Sequence, residues 1–338
     1  MLTRGVHIGY QIQQDTARRI FLLLIPYSMG GVFASPWLGM TGKVVLITGA
    51  DSGIGLLFMK HMIESKAIVI AVCYTQEGTN NAEQAGAHAI QCDLSQEEQI
   101  EQAVEKVKVI SNGNLFALVH CAGIAFGGFI EITLPIFYRK VMEVNFFSVV
   151  SLTHKLLPLL KAHDNNMNGS SNEDYGRIVF VSSVCGLVPL PGNATYGSSK
   201  FALESYADSL RVEMSQFNIG VSIVNPSSMR TNMSATYLES FRTTYNAIKI
   251  LPKYSEWLRS YSEEWLNRFI EGGEKELKEV CEDPVLVVND LTHAVCSRFP
   301  RMRYLSGVYS KYFFYYLWVL PQNWVFRFKQ SMVKLKPY

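Results

Sequence analysis

The chain has 338 residues, of which 48% are hydrophobic and 18% charged, and its net charge is +2. This composition excludes a disordered protein, a collagen-like repeat and a small disulfide-stabilised domain, and it leaves a globular protein that is either soluble or in contact with lipid. The charge is uneven: residues 301–338 hold seven basic side chains and no acidic ones, so the preceding residues carry a net charge of about −5.

The N-terminal segment, residues 1–41, is expected to be a hydrophobic anchor or arm. Between Arg19 and Lys43 lie 23 uncharged residues, enough to span a bilayer, but Pro26, Pro36 and two glycines interrupt them. A membrane anchor or re-entrant segment and an apolar arm packed on the domain both stay open. A mitochondrial targeting sequence is a third interpretation, with only weak resemblance to a presequence.

Short apolar runs alternate with helical patterns through the middle of the chain. Six runs are predicted strands: 43–48, 67–73, 88–92, 115–119, 177–181 and 220–224. The polar stretch 163–174 is expected to be a surface loop. Regular alternation predicts an α/β fold over residues 42–300, a doubly wound, Rossmann-like parallel sheet with helices on both faces. Ligands of such sheets bind at the carboxyl ends of the strands.

A glycine-rich turn, Thr48-Gly49-Ala50-Asp51-Ser52-Gly53-Ile54-Gly55, follows the first predicted strand and opens the first helix. Its glycines allow backbone amides to approach a pyrophosphate at the helix N-terminus. Asp93, after the third strand, either reaches an adenine or caps the next helix. Asp51, with no basic residue in the turn, disfavours a 2′-phosphate, so we expect NAD as the cofactor, with NADP not excluded.

Tyr196 and Lys200 lie one helical turn apart on the same face. A phenol with a pKa near 10 is a poor base at neutral pH, and we expect the lysine ammonium to favour the phenolate and lower that pKa. Ser183 ends the fifth predicted strand, where its hydroxyl is expected to hold a substrate oxygen.

These residues together resemble the short-chain dehydrogenase/reductase family, from about Gly42 to Pro300. The resemblance implies that Ser183, Tyr196 and Lys200 are catalytic and that Asn145 supports a proton relay, although by position alone Asn145 could equally mark a helix kink. It implies hydride transfer between a carbinol carbon and a nicotinamide. It also implies a cofactor site formed by Thr48, Gly49, Ser52, Gly53, Ile54, Gly55, Asp93, Ala122, Gly123, Tyr196, Lys200, Pro226 and Thr231.

Two positions depart from the family pattern. His120-Cys121-Ala122-Gly123 stands where Asn-Asn-Ala-Gly is usual, and Pro226-Ser227 stands where Pro-Gly is usual. We expect the first to alter the support of the sheet and the second to change the floor beneath the nicotinamide. Neither removes a group that handles protons, so an active enzyme is predicted.

The long connection at residues 228–282 is expected to form a helical substrate lid. Its apolar side chains recur at helical spacing: Tyr254, Trp257, Leu258, Tyr261, Trp265 and Phe269. Such a stripe is often the packed side of a helix, but over an active site it would suit a steroid or retinoid. A hydroxybutyrate site would need a buried cation, for which Arg230 is the obvious candidate.

The leading hypothesis is therefore an oxidoreductase acting on a secondary alcohol or ketone of a steroid or related lipid. The segment at residues 283–294 and the aromatic tail are similar to the retinol, hydroxysteroid and 3-hydroxybutyrate dehydrogenases within the family. A mitochondrial 3-hydroxybutyrate dehydrogenase is the alternative. A catalytically silent, cofactor-binding membrane scaffold is a further alternative, motivated by His120 and Ser227.

Residues 301–338 form an aromatic, basic C-terminal extension with eleven aromatic rings between Tyr304 and Phe328. This mixture suits a membrane interface, or else the rings are buried on the domain or in a dimer. We expect membrane contact through both termini, at the endoplasmic reticulum or alternatively the mitochondrion, and a homo-oligomer. Because the basic residues are confined to this tail, no nucleic-acid partner is expected. The cysteines and histidines show no spacing for a metal site.

Overall fold

The computed structural model describes residues 37–165, 175–254, 256, 258 and 261–332. The hydrophobic segment predicted as an anchor lies outside these residues up to Pro36, as does Trp257 of the predicted lid. Trp37 forms a β-bridge with Ser297, and Met40 is buried in the core. The folded unit therefore begins before the predicted boundary at Gly42.

Within the described residues, seven parallel strands form the central sheet, in the order β3-β2-β1-β4-β5-β6-β7. They are β1 (Val44–Thr48), β2 (Ile68–Cys73), β3 (His88–Gln91), β4 (Ala117–His120), β5 (Arg177–Val181), β6 (Gly220–Pro226) and β7 (Arg303–Ser306). The predicted doubly wound sheet is confirmed. Because the strand order reverses between β1 and β4, a crevice opens there at the carboxyl ends of the strands.

Helices of the described residues cover both faces of the sheet. They are α1 (Gly53–Glu64), α2 (Gln76–Gln84), α3 (Glu97–Ile110), α4 (Pro135–Met142), α5 (Ser148–Asn165), α6 (Ala194–Met214), α7 (Asn232–Lys249), α8 (Glu263–Val280), α9 (Val285–Cys296), α10 (Tyr315–Val319) and α11 (Gln322–Met332). A π-helical turn, Glu143–Phe147, joins α4 to α5, and another, Tyr309–Phe314, precedes α10.

The strand periodicity divides the core into two layers. Val45 and Ile47 of β1 pack with side chains of α1 and α9. Leu46, on the opposite face, packs with side chains of α3, α5 and α6. Successive side chains of a strand point to opposite faces, so a strand buried on both faces is mostly apolar, as β1 is from Val44 to Ile47.

Three sequence predictions about secondary structure are corrected. The predicted loop from His163 begins as helix instead, since α5 continues to Asn165 and His163 is buried, with its Nδ1 2.7 Å from the Asn114 side-chain oxygen. The apolar stripe beginning at Tyr254 is not one helix, because α8 begins at Glu263 after a Ser262 cap. The sheet also has a seventh strand, β7, inside the predicted C-terminal extension.

The C-terminal segment after β7 packs partly on the domain. Leu317 and Val325 are buried against Leu187 and Val188. Most aromatic rings of this segment are exposed, including those of Tyr312, Trp324 and Phe326. In the part of the chain that the structure describes, every helix is too short or too polar to cross a bilayer.

Candidate active site

A cleft of about 1340 Å³ runs along the carboxyl ends of the strands. The glycine turn and the ends of β2 and β3 line one part of it, and the lid helices α7 and α8 line another. Ser183, Tyr196 and Lys200 also line this cleft. The fold therefore brings these three predicted catalytic residues and most of the predicted cofactor residues to one cleft, whereas Asn145 is buried outside its lining.

The glycine turn is held closely against the neighbouring strands. The Gly49 N–H donates to the Val72 carbonyl at 2.9 Å, and the Thr48 hydroxyl accepts the Ala122 N–H at 3.1 Å. A Cβ at Gly55 would lie 2.2 Å from the Gly49 carbonyl oxygen, so no larger residue fits there. Ser52, the residue before α1, makes no side-chain cap hydrogen bond. Its helix N-terminus is open to a phosphate, which fits a dinucleotide.

Asp51 is positioned by the end of β2. Its carboxylate accepts the backbone N–H groups of Tyr74 and Thr75, each at 2.8 Å, and the Thr75 hydroxyl at 2.8 Å. The sequence places no acidic residue at the end of β2, but the fold brings the Asp51 charge there. The Asp51 carboxylate would therefore repel a second negatively charged group at the end of β2.

Asp93 lines the cleft, but its polar groups are engaged locally. Its carboxylate accepts the N–H and hydroxyl of Ser95, at 2.9 and 2.7 Å, and its own N–H donates to the Gln99 side chain at 2.8 Å. These contacts form a local turn before α3, whose N-cap is Gln96, so Asp93 does not cap that helix. Contact with an adenine stays a prediction.

Residues that follow β4 and β6 line the cleft beside the predicted cofactor residues of the glycine turn. Ala122 and Gly123 line it beside the glycine turn, together with Ile54. Pro226 and Thr231 also line the cleft. A Cβ at Gly53 would meet the Thr231 methyl at 3.5 Å, so Thr231 lies next to the glycine turn.

Lys200 is buried and Tyr196 is half-buried in the cleft. The Lys200 Nζ donates to the Val181 carbonyl at 2.9 Å and lies 5.5 Å from the centroid of the Tyr196 ring. Burial lowers the pKa of Lys200 to about 8, while the Glu204 carboxylate acts in the opposite direction. Burial raises the pKa of Tyr196, and a side-chain hydrogen bond with Ser183 only partly offsets this rise. The expected lowering of the Tyr196 pKa is therefore not found in this structure, because desolvation dominates.

Ser183 stands at the entry to a short 3₁₀ turn, Val184–Gly186. Its hydroxyl accepts the Cys185 N–H at 3.1 Å, and its carbonyl accepts the Asn225 side-chain amide at 3.0 Å. Asn225 is fully buried within β6 and was missed by the sequence analysis. The available signal was an amide side chain directly after the apolar pair Ile223-Val224 of a predicted strand.

Asn145 is fully buried in the π-helical turn between α4 and α5. Its amide donates to the Ile124 carbonyl at 2.9 Å and to the Ser199 hydroxyl at 3.0 Å, while its oxygen accepts the Ile124 N–H at 2.8 Å. A Cβ at Gly123 would meet both the Asn145 oxygen and the Lys200 Nζ, at 3.3 and 3.7 Å. Asn145 thus occupies a helix irregularity and also neighbours Lys200, and its role in a relay stays a prediction.

His120 and Ser227, the two departures from the family pattern, are both accommodated. The His120 ring stacks on Phe180 at 5.2 Å, and its Nε2 is hydrogen-bonded to the Thr153 hydroxyl at 2.9 Å. Burial lowers the pKa of His120 to about 3, with the Lys200 charge adding to this effect. Ser227 donates its hydroxyl to Glu282 at 2.5 Å.

The lid forms an aromatic wall around Phe129. The ring centroids of Tyr261, Trp265 and Phe269 lie 5.7, 5.2 and 5.3 Å from that of Phe129. Trp265 and Phe269 line the cleft, as does Tyr237, whose pKa is raised by burial and by the neighbouring Cys185 and Tyr196. Arg230 is exposed and donates to the Cys281 carbonyl at 3.3 Å.

Comparisons with known proteins agree with this geometry. The sequence profile described as short chain dehydrogenase matches residues 43–240. The chain is 31% identical over 291 residues to 17-beta-hydroxysteroid dehydrogenase type 6 of Rattus norvegicus, covering 84% of this chain and 86% of that protein. It is 30% identical over 285 residues to retinol dehydrogenase 7 of Mus musculus, covering 82% and 85%.

Solved structures share the fold. A short-chain dehydrogenase from Streptomyces avermitilis matches with a TM-score of 0.61 and 22% identity, covering 86% of this chain and 93% of that chain. The 3-ketoacyl-(acyl-carrier-protein) reductase of Brucella melitensis, solved with NADH, matches with a TM-score of 0.54 and 28% identity. That match covers 62% of this chain and 84% of the reductase.

Proposed function

The chain belongs to the short-chain dehydrogenase/reductase family, and on that premise we propose that it oxidises or reduces a secondary alcohol or ketone of a steroid or related lipid with NAD. The chain is an NAD(P)-dependent oxidoreductase; its lipid substrate and the choice of NAD are the proposal. The observation that carries it is the cleft that Ser183, Tyr196 and Lys200 line together with the glycine turn and the aromatic lid.

Different residues of the chain are assigned to proton transfer, to substrate binding and to cofactor binding. The bound nicotinamide would accept or supply the hydride. Tyr196 exchanges the proton of the substrate hydroxyl, and Ser183, which lines the same cleft, holds the substrate oxygen beside it. Lys200 places a positive charge next to the phenol and holds the ribose, and Asn145 positions the Ile124 backbone beside it.

The glycine turn and its neighbours would hold the dinucleotide. The N-terminus of α1 would bind the pyrophosphate, and Gly49, Ser52, Gly53, Ile54 and Gly55 line the cleft there. Ala122, Gly123 and Asp93 line the adenosine side, and Pro226 and Thr231 the nicotinamide side. The Asp51 carboxylate at the end of β2 favours NAD over NADP, because the latter adds a phosphate.

The aromatic lid supports a lipid substrate. Rings of Phe129, Trp265 and Phe269 surround the substrate end of the cleft, and this lining suits a rigid apolar molecule. The two named relatives act on a hydroxysteroid and on retinol, which supports the same substrate class. The exposed position of Arg230 disfavours 3-hydroxybutyrate, whose carboxylate would need a buried cation.

We also infer that the C-terminal segment contacts a membrane with anionic lipid, at the endoplasmic reticulum. Exposed rings there include Tyr312, Trp324 and Phe326, with Lys311 and Arg327 among them and no acidic residue. Phosphatidylserine should strengthen cosedimentation with vesicles, and the double substitution W324S/F326S should weaken it. Equal binding to neutral vesicles, or full binding by the double variant, would contradict this surface.

Purified protein should be tested with hydroxysteroids, retinol and 3-hydroxybutyrate, each with NAD and NADP, by the absorbance of reduced nicotinamide. We expect turnover of a steroid or retinoid, and a loss in kcat of about 10²–10⁴-fold in Tyr196→Phe. Tyr206→Phe, on the same helix, is the matched control and should keep its activity. Turnover of 3-hydroxybutyrate alone would favour the hydroxybutyrate enzyme, and unchanged biological activity of Tyr196→Phe would favour a silent scaffold.

A further inference from the structure

Glu282, between α8 and α9, accepts hydrogen bonds from two distant parts of the chain. Its carboxylate receives the Ser227 hydroxyl at 2.5 Å, the Val308 N–H at 2.7 Å and the Tyr309 N–H at 3.4 Å. Its backbone is also fixed, because its N–H donates to the Ser228 carbonyl at 2.9 Å and its carbonyl accepts the Arg230 N–H at 2.8 Å. The carboxylate is therefore held in one place and ties three segments together.

The segments joined by Glu282 line different parts of the cleft. Ser227 follows β6 on the proposed nicotinamide side, whereas Tyr309 begins the aromatic segment that carries Phe313 and Phe314 along the cleft. Between them, the Ser227 N–H donates to the Ser306 carbonyl at 3.2 Å. The carboxylate thus lies where the cofactor floor meets the C-terminal wall.

Gly307 leaves room for this arrangement. Its φ is +96°, in the region that favours glycine, and a Cβ there would lie 2.3 Å from a Glu282 carboxylate oxygen and 2.6 Å from the Ser227 hydroxyl. The backbone turn therefore passes directly over the hydrogen-bonded pair. Any displacement of Ser227 or Glu282 must move the turn that leads into Val308 and Tyr309.

We propose that Glu282 is a positioning residue that couples the floor of the nicotinamide site to the aromatic C-terminal wall of the cleft. The proposal rests on the proposed function for the identity of the cofactor. An ionised carboxylate only accepts hydrogen bonds, so it satisfies a hydroxyl and two backbone N–H groups that converge on it. Ser227 supplies the hydroxyl where a glycine would supply none.

NADH binding and hydrogen exchange test this coupling without relying on turnover. In the unmodified protein, we expect NADH to slow amide exchange both around Ser227 and in the peptide containing Val308 and Tyr309. In Glu282→Gln, one acceptor becomes a donor, so exchange at Val308 and Tyr309 should speed up about tenfold or more without NADH. The NADH dissociation constant should rise about five- to tenfold. Glu279→Gln, an exposed change on α8, is the matched control and should leave both quantities unchanged.

Ser227→Gly separates a positioning role from a general loss of stability. If Ser227 and Glu282 act as one unit, the double variant S227G/E282Q should bind NADH no more weakly than Glu282→Gln alone. Additive losses, or faster exchange with an unchanged NADH dissociation constant, would overturn the coupling and leave the proposed function intact. Absence of NADH binding by the unmodified protein would overturn both.

Discussion

The guanidinium of Arg303 on β7 forms an ion pair with the carboxylate of Glu204 on α6. Both side chains also bond to Asn225 of β6, whose amide donates to Glu204 at 2.6 Å and whose oxygen accepts from Arg303 at 2.9 Å. Glu204 follows Lys200 by one helical turn and opposes the lowering of its pKa. Asn225 holds the Ser183 carbonyl. The last strand therefore supports the helix and the strand end that carry the proposed catalytic residues.

Arg303→Met should destabilise the protein because it leaves the Glu204 carboxylate largely buried without its cation. We expect the free energy of unfolding to fall by about 2–4 kcal/mol. This is somewhat less than for a fully buried pair, because the Arg303 side chain is 21% exposed. Urea denaturation measures this change. Arg301→Met, at an exposed neighbouring position, should change it by about 0.5 kcal/mol or less. Equal effects of the two substitutions would show that the ion pair is not needed.

His120→Asn should make the fold less sensitive to acid. The folded pKa of His120 is about 3 and its ordinary value is 6.5, so between these pH values the unfolded chain binds more protons and stability falls as the pH falls. Asparagine does not titrate. From pH 7 to pH 4 we expect the variant to lose about 2–3 kcal/mol less unfolding free energy than the unmodified protein.

Chemical denaturation at a series of pH values measures this difference. His88→Asn, an exposed change on β3, serves as the control and should follow the unmodified protein. The comparison uses the pH dependence of each variant, because loss of the His120 ring from its stack on Phe180 will also lower stability at neutral pH. Parallel pH curves for His120→Asn and the unmodified protein would contradict a buried neutral imidazole.

Asp51→Asn should reduce the preference for NAD. Removing the carboxylate charge at the end of β2 should lower the KM for NADP about tenfold, because like charges close together repel each other. Asparagine keeps one oxygen to accept the N–H of Tyr74 or Thr75, so the KM for NAD should change less. Steady-state kinetics with both cofactors measures the ratio. Asp93→Asn, in the same cleft, should affect the two cofactors equally, and a matching result for Asp51→Asn would exclude a selective role.

Phe269→Ala should weaken lipid binding and spare small alcohols. The ring lies against Phe129 at 5.3 Å and lines the cleft, so its loss should raise the KM for a steroid about 10–100-fold, as expected for about 1.5–3 kcal/mol of apolar burial. Cyclohexanol, too short to reach the lid, should be turned over as before. Phe299→Ala, at an exposed ring, is the control. An equal rise in KM for the steroid and for cyclohexanol would show that Phe269 does not contact the part of the steroid that distinguishes the two alcohols.

The sequence by itself determined those features that depend on neighbouring residues. Apolar runs such as Val44–Thr48 predict strands within a few residues of the observed bounds, and the alternation of strand and helix predicts the doubly wound sheet. The glycine turn and the spacing of Tyr196 and Lys200 are similarly local. These features can be predicted from the sequence because the side-chain periods of strands and helices and the geometry of a turn depend on contiguous residues.

Only the tertiary structure decided how distant residues meet. β7 has four residues with alternating burial and polar side chains at both ends, so it shows no apolar run, and it exists because it pairs with β6. Because β7 pairs with β6, Arg303 forms an ion pair with Glu204 and is not simply one of the basic residues of the tail. The same pairing places the Val308 N–H next to the Glu282 carboxylate. Burial likewise reversed the expected shift of the Tyr196 pKa. Desolvation and long-range pairing depend on the packed chain as a whole, so no local pattern encodes them.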